Sequence, residues 1–137
     1  MCNHPYLFQG VEPTDAPMFG DHIINVASKL KIVDRLLPRI FAKQSKVNIK
    51  VLLFNYFQVI IFSQMRKVLD ILDDYLTMKE INFCRIDGGT TYEERETQMD
   101  AFNDINNPDL KVFLLTTRAG GLGITLTGAD TVIIYDR

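Results

Sequence analysis

The stretch VIIFSQMRKVLDILDDYLTMKEINFCRIDGG, residues 59–89, decides the fold. It opens on the apolar run Val59 to Phe62, too short for a helix face and rich in β-branched side chains, so it predicts a buried strand. After Ser63 the period changes. Val68, Ile71, Leu72, Tyr75 and Leu76 recur at helical spacing, while Arg66, Lys67, Asp70, Asp73 and Asp74 take the opposite face. Ile81 to Ile86 returns to strand and is closed by the turn residues Asp87, Gly88 and Gly89. Strand, helix and strand in this order form a unit whose two strands run parallel.

The same alternation continues downstream. Thr91 with Glu94 is a capping-box signature for a helix whose Met99 and Phe102 face inward. Lys111 to Thr117 is the next strand, Arg118 to Gly123 a glycine-rich loop, and Thr131 to Asp136 a last apolar strand ending in an acid. Upstream, Ser28 is placed to cap a helix in which Leu30, Val33, Leu36, Leu37 and Ile40 share a face, and Pro38 is expected to kink or end it. Residues 1–27 read as an irregular arm, since Met1 to Asn25 holds three of the five prolines and shows no period. Two runs, Val51 to Phe54 and Val59 to Phe62, have strand character, and only the second leads directly into a helix. The prediction is an α/β domain: near-continuous apolar strands need a parallel sheet with helices on both faces. Ligands of such sheets bind at the carboxyl ends of the strands, here Ser63, Asp87, Thr117 to Gly123 and Asp136.

Composition narrows the chemistry. At 137 residues the chain fits one domain, and 15 Lys+Arg against 17 Asp+Glu exclude general electrostatic capture of nucleic acid, so any such contact must be local. Two cysteines, Cys2 and Cys84, are too few for a disulfide scaffold and fit a reducing compartment. No secretory pattern opens the chain, and the longest apolar stretch, Val51 to Phe62, is broken by Asn55 and Gln58, short of the roughly 18 residues a membrane span needs. Cys2 and His4 have no second ligand pair, so no metal site is expected, and His22 in the arm completes no catalytic triad.

A phosphate loop is missing: Gly123 and Gly128 have its separation, but Ala129 and Asp130 stand where Lys and Ser/Thr belong. The dinucleotide fingerprint fails at Leu126. Asp136 has the place of a magnesium-binding acid but no Glu follows, and the expectation is an acid in solvent at a strand end. The informative element is Thr116-Thr117-Arg118-Ala119-Gly120-Gly121-Leu122-Gly123-Ile124. Consecutive glycines let amides approach a phosphate, threonine hydroxyls donate, and Arg118 adds a guanidinium fork. From the residues alone, an oligoanion cradle and a plain tight turn are both open.

Four motifs in order then carry a resemblance over nearly the whole chain. Cys2-Asn3-His4-Pro5-Tyr6-Leu7-Phe8, Ile61-Phe62-Ser63-Gln64-Met65 (similar to motif IV), Arg85-Ile86-Asp87-Gly88, and Thr117 to Ile124 (similar to motif V) resemble the second RecA-like lobe of SNF2-family ATPases. Gly10-Val11-Glu12-Pro13 and Leu36-Leu37-Pro38 resemble the imitation-switch subgroup, with the lymphoid-specific helicase group next. The resemblance implies a RecA-like helicase C-terminal lobe, working in the intact protein with ATP and Mg2+, with double-stranded DNA and nucleosomes, with a first lobe, and in the nucleus. It implies DNA contact or support at Ser63, Gln64, Arg85, Asp87, Gly88, Thr117, Arg118, Ala119 and Gly120, and nucleotide approach at Gly121, Leu122 and Gly123. No residue is assigned a catalytic role. The first-lobe motifs and the arginine finger of motif VI are not in this sequence, so the chain alone is expected to bind no cofactor and to be inactive. The alternative is a non-catalytic fragment or binding module.

One segment departs from the pattern. Deleting residues 47–58 joins Lys46 to Val59 and restores the family's run into motif IV, and the insert reads like a translated in-frame intron. A genuine extra strand at Val51 to Phe54 is the rival reading.

Overall fold

A computed structural model of the chain describes residues 3–10, 20–43, 58–119 and 123–136. Its sheet has four strands: β1 (Gln58–Ser63), β2 (Asn82–Ile86), β3 (Leu110–Thr116) and β4 (Ala129–Ile134). They lie in the order β2-β3-β1-β4, and every pairing is parallel. Val59 stands opposite Val112 and Thr131, and Ser63 opposite Thr116. A parallel sheet turns all its carboxyl ends to one edge. This order sets the ends of β2, β3 and β1 side by side there.

Four α-helices accompany the sheet among the described residues: α1 (His22–Asn25), α2 (Ser28–Lys43), α3 (Arg66–Met78) and α4 (Tyr92–Asn103). The pleat of β1 divides the core. Val59 and Ile61 pack with Leu30, Leu37, Leu69, Leu72 and Leu76 of α2 and α3 on one face. Ile60 packs with Ile86, Phe113 and Phe102 of α4 on the other. The chain travels from β1 past β3 to β2 and then back to β3. A reversal of direction with right-handed crossovers puts α3 and α4 on opposite faces. This is the predicted α/β architecture, RecA-like, with the sheet covered on both sides.

Local expectations met the structure with some corrections. α4 opens on a complete capping box between Thr91 and Glu94, as the sequence signature predicts. α2 runs through Pro38 to Lys43 instead of ending there, because Leu37 and Ile40 are buried on the core on either side of the proline. Its first helical bond runs from the Lys31 amide to the Ala27 carbonyl, so Ala27 stands at the cap and Ser28 inside the first turn. Leu36 points outward, and in α3 Leu69 is fully buried where Ile71 is only partly so. The described parts of the arm carry a 3-10 helix at Pro5–Leu7 and the short α1, and His4, Ile23, Ile24 and Ala27 are buried. The Val51 to Phe54 run lies outside the described residues. Among the described residues no helix is long and apolar enough to cross a membrane.

Candidate functional site

Three chain reversals meet at the carboxyl edge of the sheet. At the end of β1, Ser63 is fully buried and donates its hydroxyl to Asp136 Oδ2 at 2.6 Å. The Gln64 amide donates to Asp136 Oδ1 at 2.6 Å, and Asn3 Nδ2 to Oδ2 at 3.0 Å. Asp136 is therefore not an acid in solvent, as its place in the sequence suggested. It is a buried acceptor that ties motif IV, the arm and the end of β4 together, because register brings Phe62 opposite Ile134. Lys29 completes this corner with bonds to Asn3 Oδ1 at 2.6 Å and the Tyr135 carbonyl at 3.2 Å.

At the end of β2, Asp87 is buried and organises the turn. Its Oδ1 accepts from the Gly89 amide at 2.8 Å, and its own amide donates to Thr90 Oγ1 at 3.0 Å. Burial acts to raise the Asp87 pKa, but the Gly89 hydrogen bond, the Arg85 guanidinium and Arg66 outweigh it and hold the carboxyl below the usual range. Arg85 spends its guanidinium inside the fold: Asp87 at 2.9 Å, Asp70 at 2.6 Å and Asp73 at 3.3 Å surround it. Burial acts to lower its pKa, and the bonds to Asp70 and Asp87 raise it overall. Thus Arg85 and Asp87 shape the turn, and Gly88 at its tip is exposed with no heavy atom within 4 Å of where a Cβ would stand.

At the end of β3, Thr117 and Arg118 are exposed, whereas Ala119 is buried in the α4-side core and anchors the loop. The Thr117 amide donates to the Ser63 carbonyl at 3.1 Å, which locks this turn beside motif IV. Gly120, Gly121 and Leu122 lie outside the described residues; Gly123 is exposed with φ +63, a left-handed conformation that favours glycine.

These reversals enclose a groove of about 520 Å3 lined by Gln64, Arg66, Gly88, Gly89, Thr116, Thr117 and Arg118. The sequence reading found Gln64, Gly88, Thr117 and Arg118 there and missed Arg66, Gly89 and the groove-facing role of Thr116. Arg66 is the first residue of α3, and its signal was only that of an outward helix face. A second cavity of about 440 Å3 opens at the opposite edge, between Thr77, Glu80, Ile81, Asn82, Phe83, Asn107 and Leu110. It holds a carboxylate and no cation, so an anion would find nothing there to pair with. Among the described residues no cluster of His, Cys, Asp or Glu is arranged to hold a metal ion.

Residues 28–137 match the helicase conserved C-terminal domain. The chain belongs to that family. The chain is 47% identical to the ISWI chromatin-remodeling complex ATPase CHR17 of Arabidopsis thaliana over 98% of its length, covering 11% of that protein. It is 47% identical to the ISWI chromatin-remodeling complex ATPase ISW1 of Saccharomyces cerevisiae, again over 98% of the chain and 11% of the relative. The lymphoid-specific helicase of Homo sapiens is 43% identical over 98% of the chain and 15% of its own length. Among solved structures, the C-terminal part of the Fun30 ATPase domain superposes with a TM-score of 0.72 at 32% identity, covering 86% of this chain and 34% of that one. The imitation-switch and lymphoid-specific resemblances read from the motifs are thus found as sequence similarity, and the RecA-like fold as structural similarity. The helicase C-terminal domain spans only a small share of each of these relatives.

Proposed function

We propose that this domain is the second motor lobe of an ATP-dependent DNA translocase that acts on nucleosomes in the nucleus, and that its strand-end groove takes DNA backbone phosphate. The groove that gathers Gln64, Arg66, Thr117 and Arg118 around an exposed glycine turn carries this reading. Two guanidinium groups, a threonine hydroxyl and a side-chain amide suit phosphodiester oxygens. The chain carries a formal net charge of −2, so this local patch has to supply the attraction. Relatives named as chromatin-remodeling ATPases support the choice of partner.

ATP and Mg2+ belong, in this proposal, to the intact protein. Gly121 to Gly123 would approach the nucleotide from this side, while positioning and neutralising its phosphates requires a phosphate loop and acid pair that this sequence does not contain. The chain alone therefore turns over no ATP. Hydrolysis stimulated by DNA that tracks with the chain through purification would refute that statement. For the groove, duplex binding measured across a salt series is the test. Arg118→Ala should weaken binding on all sequences and reduce the salt slope by about one. A changed base preference with an unchanged slope would replace phosphate binding with groove readout.

A further inference from the structure

We propose that Arg66 is a second phosphate-binding residue of this groove, acting with Arg118, and that Arg85 serves only to position the turn beneath them. The inference rests on the phosphate reading of the groove and adds a residue that the motifs do not mark.

The two arginines near Asp87 differ in what they are free to do. Arg85 has 19% of its side chain exposed and is enclosed by Asp70, Asp73 and Asp87. Drawing it toward a ligand would break three ion pairs at once, including the one to buried Asp87. Arg66 has 67% of its side chain exposed and meets Asp87 Oδ2 through Nε at 3.2 Å. Its guanidinium faces solvent while the Asp87 carboxylate is buried, and Arg66 is the least of the groups that hold that carboxylate in the charged form. Asp87 does not depend on it, because Arg85 Nη2 at 2.9 Å and the Gly89 amide at 2.8 Å still satisfy the carboxylate. Arg66 can therefore leave Asp87 for a stronger anion without leaving a buried charge unpaired.

The Arg66 guanidinium lies over the glycine turn: a Cβ on Gly89 would stand in ordinary contact with it, 3.4 Å from Nη2 and 3.5 Å from Nη1. Arg66 shares the groove with Arg118 and Thr117. Two guanidinium groups converging from α3 and from the end of β3 can take neighbouring oxygens of one phosphodiester or of two adjacent ones. Asp87 is the resting partner that holds Arg66 in place until the strand arrives.

The test is salt-dependent binding of the full chain to a fluorescent mixed-sequence duplex, read by anisotropy. Arg66→Ala should lower the salt slope by about one, Arg66→Lys should retain the slope because the charge remains, and Arg66→Ala with Arg118→Ala should lower it by about two. Arg66→Gln, which keeps length without charge, should match Arg66→Ala and guards against a packing effect. If Arg118→Ala lowers the slope and both Arg66→Ala and Arg66→Gln leave it unchanged, the Arg66 assignment fails while the groove reading stands. If the unmodified chain binds duplex without salt dependence, the groove reading itself fails and takes Arg66 with it.

Discussion

Ser63 Oγ lies 2.6 Å from Asp136 Oδ2, a buried hydrogen bond between residues 73 positions apart that closes the carboxyl edge of the sheet. The same carboxylate receives the Gln64 amide, so one acid holds the backbone of motif IV in place for the exposed groove beside it. Removing the acid takes the acceptor from the Gln64 amide and leaves the Ser63 hydroxyl only the Met65 carbonyl at 3.3 Å, a cost of about 1 to 2 kcal/mol each. Asp136→Ala should therefore lower unfolding stability by about 2 to 4 kcal/mol, and Ser63→Ala by less. A double-mutant cycle in urea should show coupling of about 0.5 to 3 kcal/mol. Additive losses would mean that the two side chains do not act together.

Gln58 is the first residue of β1 among the described residues. It is buried, stands opposite Ala129 of β4, and its side-chain amide donates to the Phe102 carbonyl at 2.7 Å and the Leu110 carbonyl at 3.1 Å. A Cβ on Gly128 would overlap its side-chain oxygen, so the glycine makes room for this bond pair. Residues 47–58 remain our proposed insertion, and the position of Gln58 sharpens the test. Deleting 47–58 puts Lys46 into this buried place, whereas deleting 47–57 keeps Gln58. If residues 47–58 are the insertion, the twelve-residue deletion should be more stable and more soluble than the parent; if Gln58 belongs to the native strand, the shorter deletion should be the more stable of the two by about 1 to 3 kcal/mol. If both deletions lose several kcal/mol, at about 2 to 5 per large side chain, Val51 to Phe54 packs as a strand and the insertion idea is wrong.

Asp87 predicts an acid limit. Its folded-state pKa is depressed, so its contribution to stability is present above the unfolded carboxyl value near about 4 and is lost as pH falls through the lower folded value. Denaturant midpoints should fall below about pH 4 more steeply for the parent than for Asp87→Asn, which cannot titrate there. Parallel curves for the two proteins would show that Asp87 is not held in the charged form by its partners.

Glu80 offers a change in the other direction. α3 ends with the Ile81 amide bonded to the Leu76 carbonyl at 3.0 Å, and this turn forces Glu80 to φ 55. A residue with a Cβ pays about 1 to 2 kcal/mol there, part of which glycine gives back through unfolded-chain entropy. Glu80→Gly should raise stability by about 0.5 kcal/mol and the melting temperature by a few degrees. A lower melting temperature would show that the Glu80 side chain has a compensating contact.

How much of this was legible before the structure depends on the range of the interaction. Periodicity placed α3, β2 and β3 to within a residue or two, and the Thr91 to Glu94 capping box located the start of α4, because such signals depend on neighbours along the chain. Motif order carried the family, and glycine and arginine at 117–123 marked the loop, although Gly120, Gly121 and Leu122 lie outside the described residues.

The tertiary structure decided what depends on strand order and burial. Pro38 stays within a helix because buried Leu37 and Ile40 hold both sides of it, a packing gain that propensity does not contain. Asp136 reads as a solvent acid until β4 pairs with β1 and sets it against Ser63 and Gln64. Arg66 follows the motif IV segment and Arg85 opens the next motif, and nothing in the sequence says which of the two guanidinium groups is open to a ligand. Only the fold encloses Arg85 among carboxylates and leaves Arg66 open beside Arg118. Local sequence thus determined the elements and the family, while the pairing order β2-β3-β1-β4 decided which charges face the groove, because it alone brings distant chain reversals within hydrogen-bonding distance.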